Sequence, residues 1–207
     1  MKTIYQIMNV RLLALLFAAV IISSCSDDDD AAPDEENEVE VITNVNLIFT
    51  NTEDSSDVVM ARAIDPDGEG TMELEILDPI NLSASTTYTL SYDIENALDP
   101  EDVENIAEEI EEEDNEHQIF YSFTNDVFAN PAGDGNIDNA SDSVNYNDQD
   151  ENGYNVGLST TWTTSDTPSV GGTFTTRLQH QPDLKDGTTG ANDGDTDFNL
   201  TFELNIE

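Results

Sequence analysis

Short runs of alternating apolar and polar residues, separated by turn-forming residues, set the texture of this chain from Val39 onward. That period-two pattern predicts half-buried β-strands. Val45, Leu47 and Phe49 alternate with Asn44, Asn46 and Ile48, which predicts a first strand over 40–50. Residues 58–64 predict a second, ended by the turn Asp65-Pro66-Asp67-Gly68. Met72, Leu74 and Ile76 alternate with Glu73 and Glu75 in a third; Tyr88, Leu90, Tyr92 and Ile94 mark a fourth. A fifth spans 117–124, with Ile119, Tyr121 and Phe123 on one face. Val156, Leu158, Thr160 and Trp162 predict a sixth, and residues 173–181 a seventh, with Phe174, Thr176, Leu178 and His180 on one face. The last, 198–206, is the cleanest: Phe198, Leu200, Phe202, Leu204 and Ile206 all fall on one side. Long Asp/Asn/Gly-rich loops are predicted over 129–153 and 183–196.

Only one segment carries a helical period. Val103, Ile106, Ala107 and Ile110 form a narrow apolar stripe, which predicts a helix over 100–113 with Asp99 as N-cap and Pro100 at the first helical position. Its other face is nearly all Glu, and acid in its last turn opposes the helix dipole. The fold predicted for residues 39–207 is therefore a single all-β domain. It is a seven- to eight-stranded antiparallel β-sandwich, Ig-like, with one inserted acidic α-helix.

The N-terminal stretch follows a different rule. Lys2 and Arg11 precede an almost unbroken apolar run from Leu12 to Ile22, and residues 1–25 contain no acid. That run is within the length of a signal-peptide core and short of a bilayer span. Ser23, Ser24 and the chain's only cysteine, Cys25, follow. This segment resembles the lipobox of bacterial lipoproteins. The resemblance implies a signal peptide over 1–24, cleavage before Cys25, and lipidation of that residue, which anchors the chain in outer-membrane lipid. Ser26 and the four Asp after it resemble the export signal of surface-exposed lipoproteins, which implies a cell-surface position. Residues 25–38 have no apolar pattern and predict a disordered acidic tether.

Charge narrows the partners. All 46 acidic residues lie beyond position 25, against three basic ones, Arg62, Arg177 and Lys185, which leaves −43. Such a surface repels nucleic acid and attracts cations. With no second cysteine there is no disulfide within the chain.

Two groups of residues could bind metal. Asp148-Gln149-Asp150-Glu151-Asn152-Gly153 matches the first half of a calcium loop. The twelfth position is Ser159 rather than Glu, so a distant acid has to complete the shell. If the sixth, seventh and last strands are neighbours, Asp148, Asp150, Asn152, Asp183, Asp193 and Asp195 gather at one pole, with Asp183 or Asp195 as the missing ligand. The chain's two histidines, His117 and His180, are candidates for zinc, copper or nickel with nearby carboxylates. A plain meander, however, sends the fifth and seventh strands in the same direction and puts the histidines at opposite poles. Unless the 129–153 connection crosses the sheet, each histidine is a strand-end residue bonded to backbone or acid. Trp162 and Tyr154 could line a sugar platform, although a lone Trp on an alternating strand more often belongs to a core.

No G-x-S-x-G elbow, H-E-x-x-H pair or phosphate-binding glycine loop is present, so the reading is not an enzyme. Glu-Glu-Asp-Asn-Glu-His-Gln before a strand, Thr161-Trp162-Thr163-Thr164 and Leu178-Gln179-His180-Gln181-Pro182 resemble small lipoproteins of the Bacteroidetes type. Such chains are sometimes labelled as type 1 periplasmic-binding-fold superfamily, although these motifs carry no assignable mechanism. The function expected is a surface-anchored module that binds a metal or small ligand, accessory to an outer-membrane transporter. The alternative is a structural or adhesive lipoprotein whose loops are stiffened by calcium; a surface hydrolase ranks third.

Overall fold

The computed structural model describes residues 40–68, 73–138 and 143–207. The signal segment, Cys25, the tether and Met72 lie outside the described residues. No helix among the described residues is long and apolar enough to cross a membrane.

Among the described residues eleven strands and one helix follow in order. They are β1 (Asn44–Asn51), β2 (Val58–Ile64), β3 (Glu75–Ile76), β4 (Ile80–Leu82), β5 (Thr87–Asn96), β6 (Glu104–Asn105), α1 (Ile106–Glu112), β7 (His117–Phe123), β8 (Phe128–Asn130), β9 (Ser159–Thr164), β10 (Ser169–His180) and β11 (Asp195–Ile206). One sheet runs β3-β2-β1-β5-β9-β8, with β6 paired to the end of β5; the other runs β4-β11-β10-β7. The sandwich predicted from alternation is what the chain forms.

The alternation decides which side chains fill the space between the sheets. Val45, Leu47 and Phe49 of β1 are buried, as are Phe198, Leu200, Phe202, Leu204 and Ile206 of β11. At the centre, Trp162 packs edge-on against Tyr121, Phe123 and Phe174, with ring centroids 5.0–5.4 Å apart. Full burial of Trp162 removes it as a sugar platform. Its indole N–H donates to Thr160 Oγ1 at 2.7 Å, and Tyr121 O–H donates to the Gly157 carbonyl at 2.6 Å, so these polar tips are satisfied inside the core.

Three expectations are corrected. The sandwich is not wholly antiparallel, because β4 runs parallel to β11 at the edge of its sheet. Helix α1 is half the predicted length. Residues 104–105 pair with Glu95 and Asn96 of β5 instead of forming the first helical turns, and Val103 is left 47% exposed. Asn105, not Asp99, caps the helix by accepting the Glu108 amide, while Ile106 and Ile110 carry the buried stripe. Finally, β7 and β10 are antiparallel neighbours, not strands running the same way. Between them the chain crosses to the facing sheet, where β8 and β9 are joined by the long connection, and returns to β10 through residues 165–168.

Candidate metal centre

The reversal of β7 against β10 builds the site. In their register His117 lies directly opposite His180. Residues opposite each other in an antiparallel pair project from the same face. Here that face is the interior one, continuing the buried rows His117, Ile119, Tyr121, Phe123 and Phe174, Thr176, Leu178, His180. The two imidazoles stack with centroids 4.4 Å apart and planes 9° from parallel. They are 0% and 3% exposed, so the pair closes one end of the core.

Carboxylates surround it from three directions. Glu40, just before β1, comes from the leader of the facing sheet and places Oε1 3.2 Å from His117 Nε2 and Oε2 4.0 Å from His180 Nδ1. Glu113 sits at the C-terminus of α1, and Glu116, in the turn before β7, brings a carboxylate oxygen within 3.6 Å of His180 Nε2. Asp197 enters from β11. One ligand atom each from Glu40, Glu113, His117 and His180 lie within 4.8 Å of one another.

The hydrogen-bonding pattern defines which atoms are available. His117 Nδ1 is 3.2 Å from the Glu113 carbonyl oxygen, and a carbonyl only accepts, so Nδ1 carries the proton. In neutral His117 the lone pair is then on Nε2, facing the Glu40 carboxylate. In that form two acceptors face each other across 3.2 Å, a contact that a proton on Nε2 or another cation satisfies. Among the described residues, eight buried side-chain polar atoms lack a hydrogen-bond partner. Five of them are here: Glu40 Oε2, His117 Nε2, His180 Nε2 and both carboxylate oxygens of Asp197. Orphaned buried acceptors are costly, and their concentration at one point calls for a cation. A proton on His117 Nε2 would satisfy one contact; a metal ion can satisfy several at once. Bonds of about 2.0 Å to zinc place neighbouring donors about 3.3 Å apart, close to the His117–Glu40 separation.

The charges respond to this crowding. Burial pushes the Glu40 carboxyl up, but the His117 contact, its own backbone bond and the nearby imidazoles outweigh it, so Glu40 stays below the usual carboxylate range. Burial pushes His117 down, and Glu40 reverses that, leaving it above the ordinary imidazole value. Burial, followed by the charge of Glu40, pushes Asp197 up to about 7 against an opposing effect of His117.

The acidic pole is assembled differently. β9 and β10 lie in different sheets and form no hairpin, so the sixth and seventh strands are not the neighbours expected; the 148–153 loop meets the segment after β10 through Lys185 instead. Both Lys185 and Asp150 side chains are fully buried, with Nζ 3.2 Å from Oδ2, and Nζ also donates to the Asp114 carbonyl at 2.5 Å. The other Asp150 oxygen accepts the Asn152 and Tyr154 amides, and the two oxygens of Asp148 accept the Gly157 and Ser159 amides. Asn152 and Asp183 are exposed, and so is Asp195, which pairs with His180 at the solvent end of β11. The Asp193 carboxylate accepts the Gly190 amide at 2.8 Å. The carboxylates of Asp148 and Asp150 thus hold the loop closed around backbone amides and a lysine.

Gly194 allows β11 to begin beside His180. It has a φ of +81°, and a Cβ there would stand 2.1 Å from the His180 carbonyl oxygen. Sequence reasoning singled out both histidines but not Glu40 or Asp197, which lie 77 and 80 residues in sequence from His117. The available signal was the His-Gln step at the end of a core-facing row in two strands, at Gln118 beside His117 and Gln181 beside His180. Comparison with known families, with curated proteins and with solved structures found no match for this chain.

Proposed function

We propose that this protein is a surface-anchored lipoprotein that captures a transition-metal ion between His117, His180 and Glu40, with Asp197 or Glu113 completing the shell. The observation that carries the proposal is the buried, stacked histidine pair ringed by carboxylates with orphaned ligand atoms. Two imidazoles favour zinc, copper or nickel over calcium or magnesium, which take all-oxygen shells. The Nδ1–H of His117 held by a backbone carbonyl is the outer-shell bond that orients a metal-binding imidazole. Cys25 would fix the domain to outer-membrane lipid, and the acidic surface would gather cations for transfer to an outer-membrane transporter.

The test is a titration of the purified, chelator-treated protein with zinc, copper and nickel in the presence of excess calcium. One ion per chain is expected, with affinity falling at least about 100-fold in His117→Ala and in His180→Ala. Binding that survives both substitutions, or that calcium abolishes, would remove the reading.

A further inference from the structure

Beside the histidine cluster lies a cavity of about 560 Å³. Glu40 and Asp197, the two carboxylates on the near side of the cluster, also line it, together with Asp65, Glu73, Leu74 and Asn199. Neither histidine does. The carboxylates therefore form a partition, with the cavity on one side and the imidazoles behind it. Glu40 is nine-tenths buried, and its Oε2 has no hydrogen-bond partner among the described residues. Both Asp197 oxygens are likewise unpartnered. Glu73 and Asn199 are exposed, so the cavity meets solvent on their side.

Resting on the metal-binding reading above, we infer that this cavity is the entrance through which a hydrated divalent cation reaches and leaves the histidines, so that the bound ion is exchangeable cargo and not a permanent structural staple. The chemistry is graded along the way. Glu73 at the exposed side attracts the hydrated ion, as a like-charged cleft concentrates its counter-ion. Buried Asp65 is already engaged, its Oδ1 accepting the Asp67 and Gly68 amides at 3.1 and 3.2 Å, so it adds field rather than a ligand. Asp197 and Glu40 then offer free oxygens in exchange for water, and the imidazoles complete capture with the nitrogen donors that zinc, copper and nickel prefer. A structural zinc site is closed all round by protein ligands; this one has a carboxylate wall facing a solvent-connected space of small-ligand size.

The experiment follows zinc loading and release in the purified protein by stopped flow, with a fluorescent chelator as competitor, in the wild type, Glu73→Gln and Leu74→Trp. Glu73 is exposed, so its replacement by the isosteric Gln is expected to leave the fold intact. At low salt Glu73→Gln is expected to slow loading about two- to fivefold and to lose that effect at high salt. Leu74→Trp, which narrows the cavity with a rigid side chain, is expected to slow loading and release together by about tenfold or more, since close-packed walls yield little, while stoichiometry stays at one ion. Wild-type rates in both variants would overturn the entrance and leave the metal site standing. Failure of the wild type itself to take up zinc would overturn the metal reading and the entrance with it.

Discussion

Asp197 is a buried carboxyl whose protonation is shifted into the neutral range. Burial and Glu40 hold its folded pKa at about 7, against an ordinary value of 3.8. A carboxyl raised on folding contributes stability that is complete below its unfolded pKa and is lost as pH rises through the folded one. His117, also raised above its ordinary value of 6.5, acts with the same sign at higher pH. The metal-free protein is therefore expected to lose stability between about pH 4 and 8, with Asp197 alone contributing a loss on the order of 4 kcal/mol at most. Denaturant melts across that range in EDTA check this, with Asp197→Asn expected to flatten the slope. In excess zinc the trend is expected to reverse, because the ion displaces the protons that stabilise the metal-free form. None of this pairing is visible in the sequence. Asp197 reads there as one more acid among 46, and only the fold places it beside a histidine 80 positions earlier.

At the scale of elements, the long strands were legible and the short ones were not. β7, β10 and β11 alternate over seven to twelve residues, enough for periodicity to identify both strand and inward face. β4 and β8 have three residues each, and β6 two, too few to carry a period; pairing with a neighbour alone defines them. The same limit misplaced the histidines. Alternation says which face His117 and His180 occupy but not which strands are neighbours, and two unrecognised sheet changes between β7 and β10 reversed the expected direction. The 148–154 loop is the converse case: its Asp/Asn/Gly spacing was legible as a tight acid-lined turn, but the cation it embraces is Lys185, the only lysine after Lys2. Breaking one partner of a buried pair costs about 3–5 kcal/mol. Asp150→Ala is thus expected to lower the Tm by roughly 10 °C, with calcium unable to restore it, whereas Lys185→Met added to Asp150→Ala recovers part of the loss. Thermal melts in matched ionic strength, with calcium and with EDTA, decide it.

For the whole molecule, the dominant force outside the core is self-repulsion. Three basic residues against 46 acids leave the folded chain little internal compensation, and two of the three are already paired, Arg62 with Asp78 at 2.6 Å and Lys185 with Asp150 at 3.2 Å. Screening should therefore stabilise it. Raising sodium chloride from about 0.05 to about 0.5 M shortens the Debye length from about 14 to about 4 Å and is expected to raise the Tm progressively. Zinc at micromolar levels is expected to add a further rise that salt does not reproduce, because it is bound by ligands and not by the general field. A Tm insensitive to salt would contradict self-repulsion as the dominant force outside the core. The same field fits the proposed surface position: a lipid-held acidic domain would collect cations from dilute surroundings, and the histidine pair would discriminate among them.

The most direct measurement is an anomalous difference map from crystals of the protein grown with zinc, collected on either side of the zinc absorption edge. One strong peak is expected within bonding distance of His117 Nε2, a ring nitrogen of His180 and the Glu40 carboxylate. A peak confined to the Asp148–Gly153 loop, or no peak at the histidines at saturating zinc, would contradict the account.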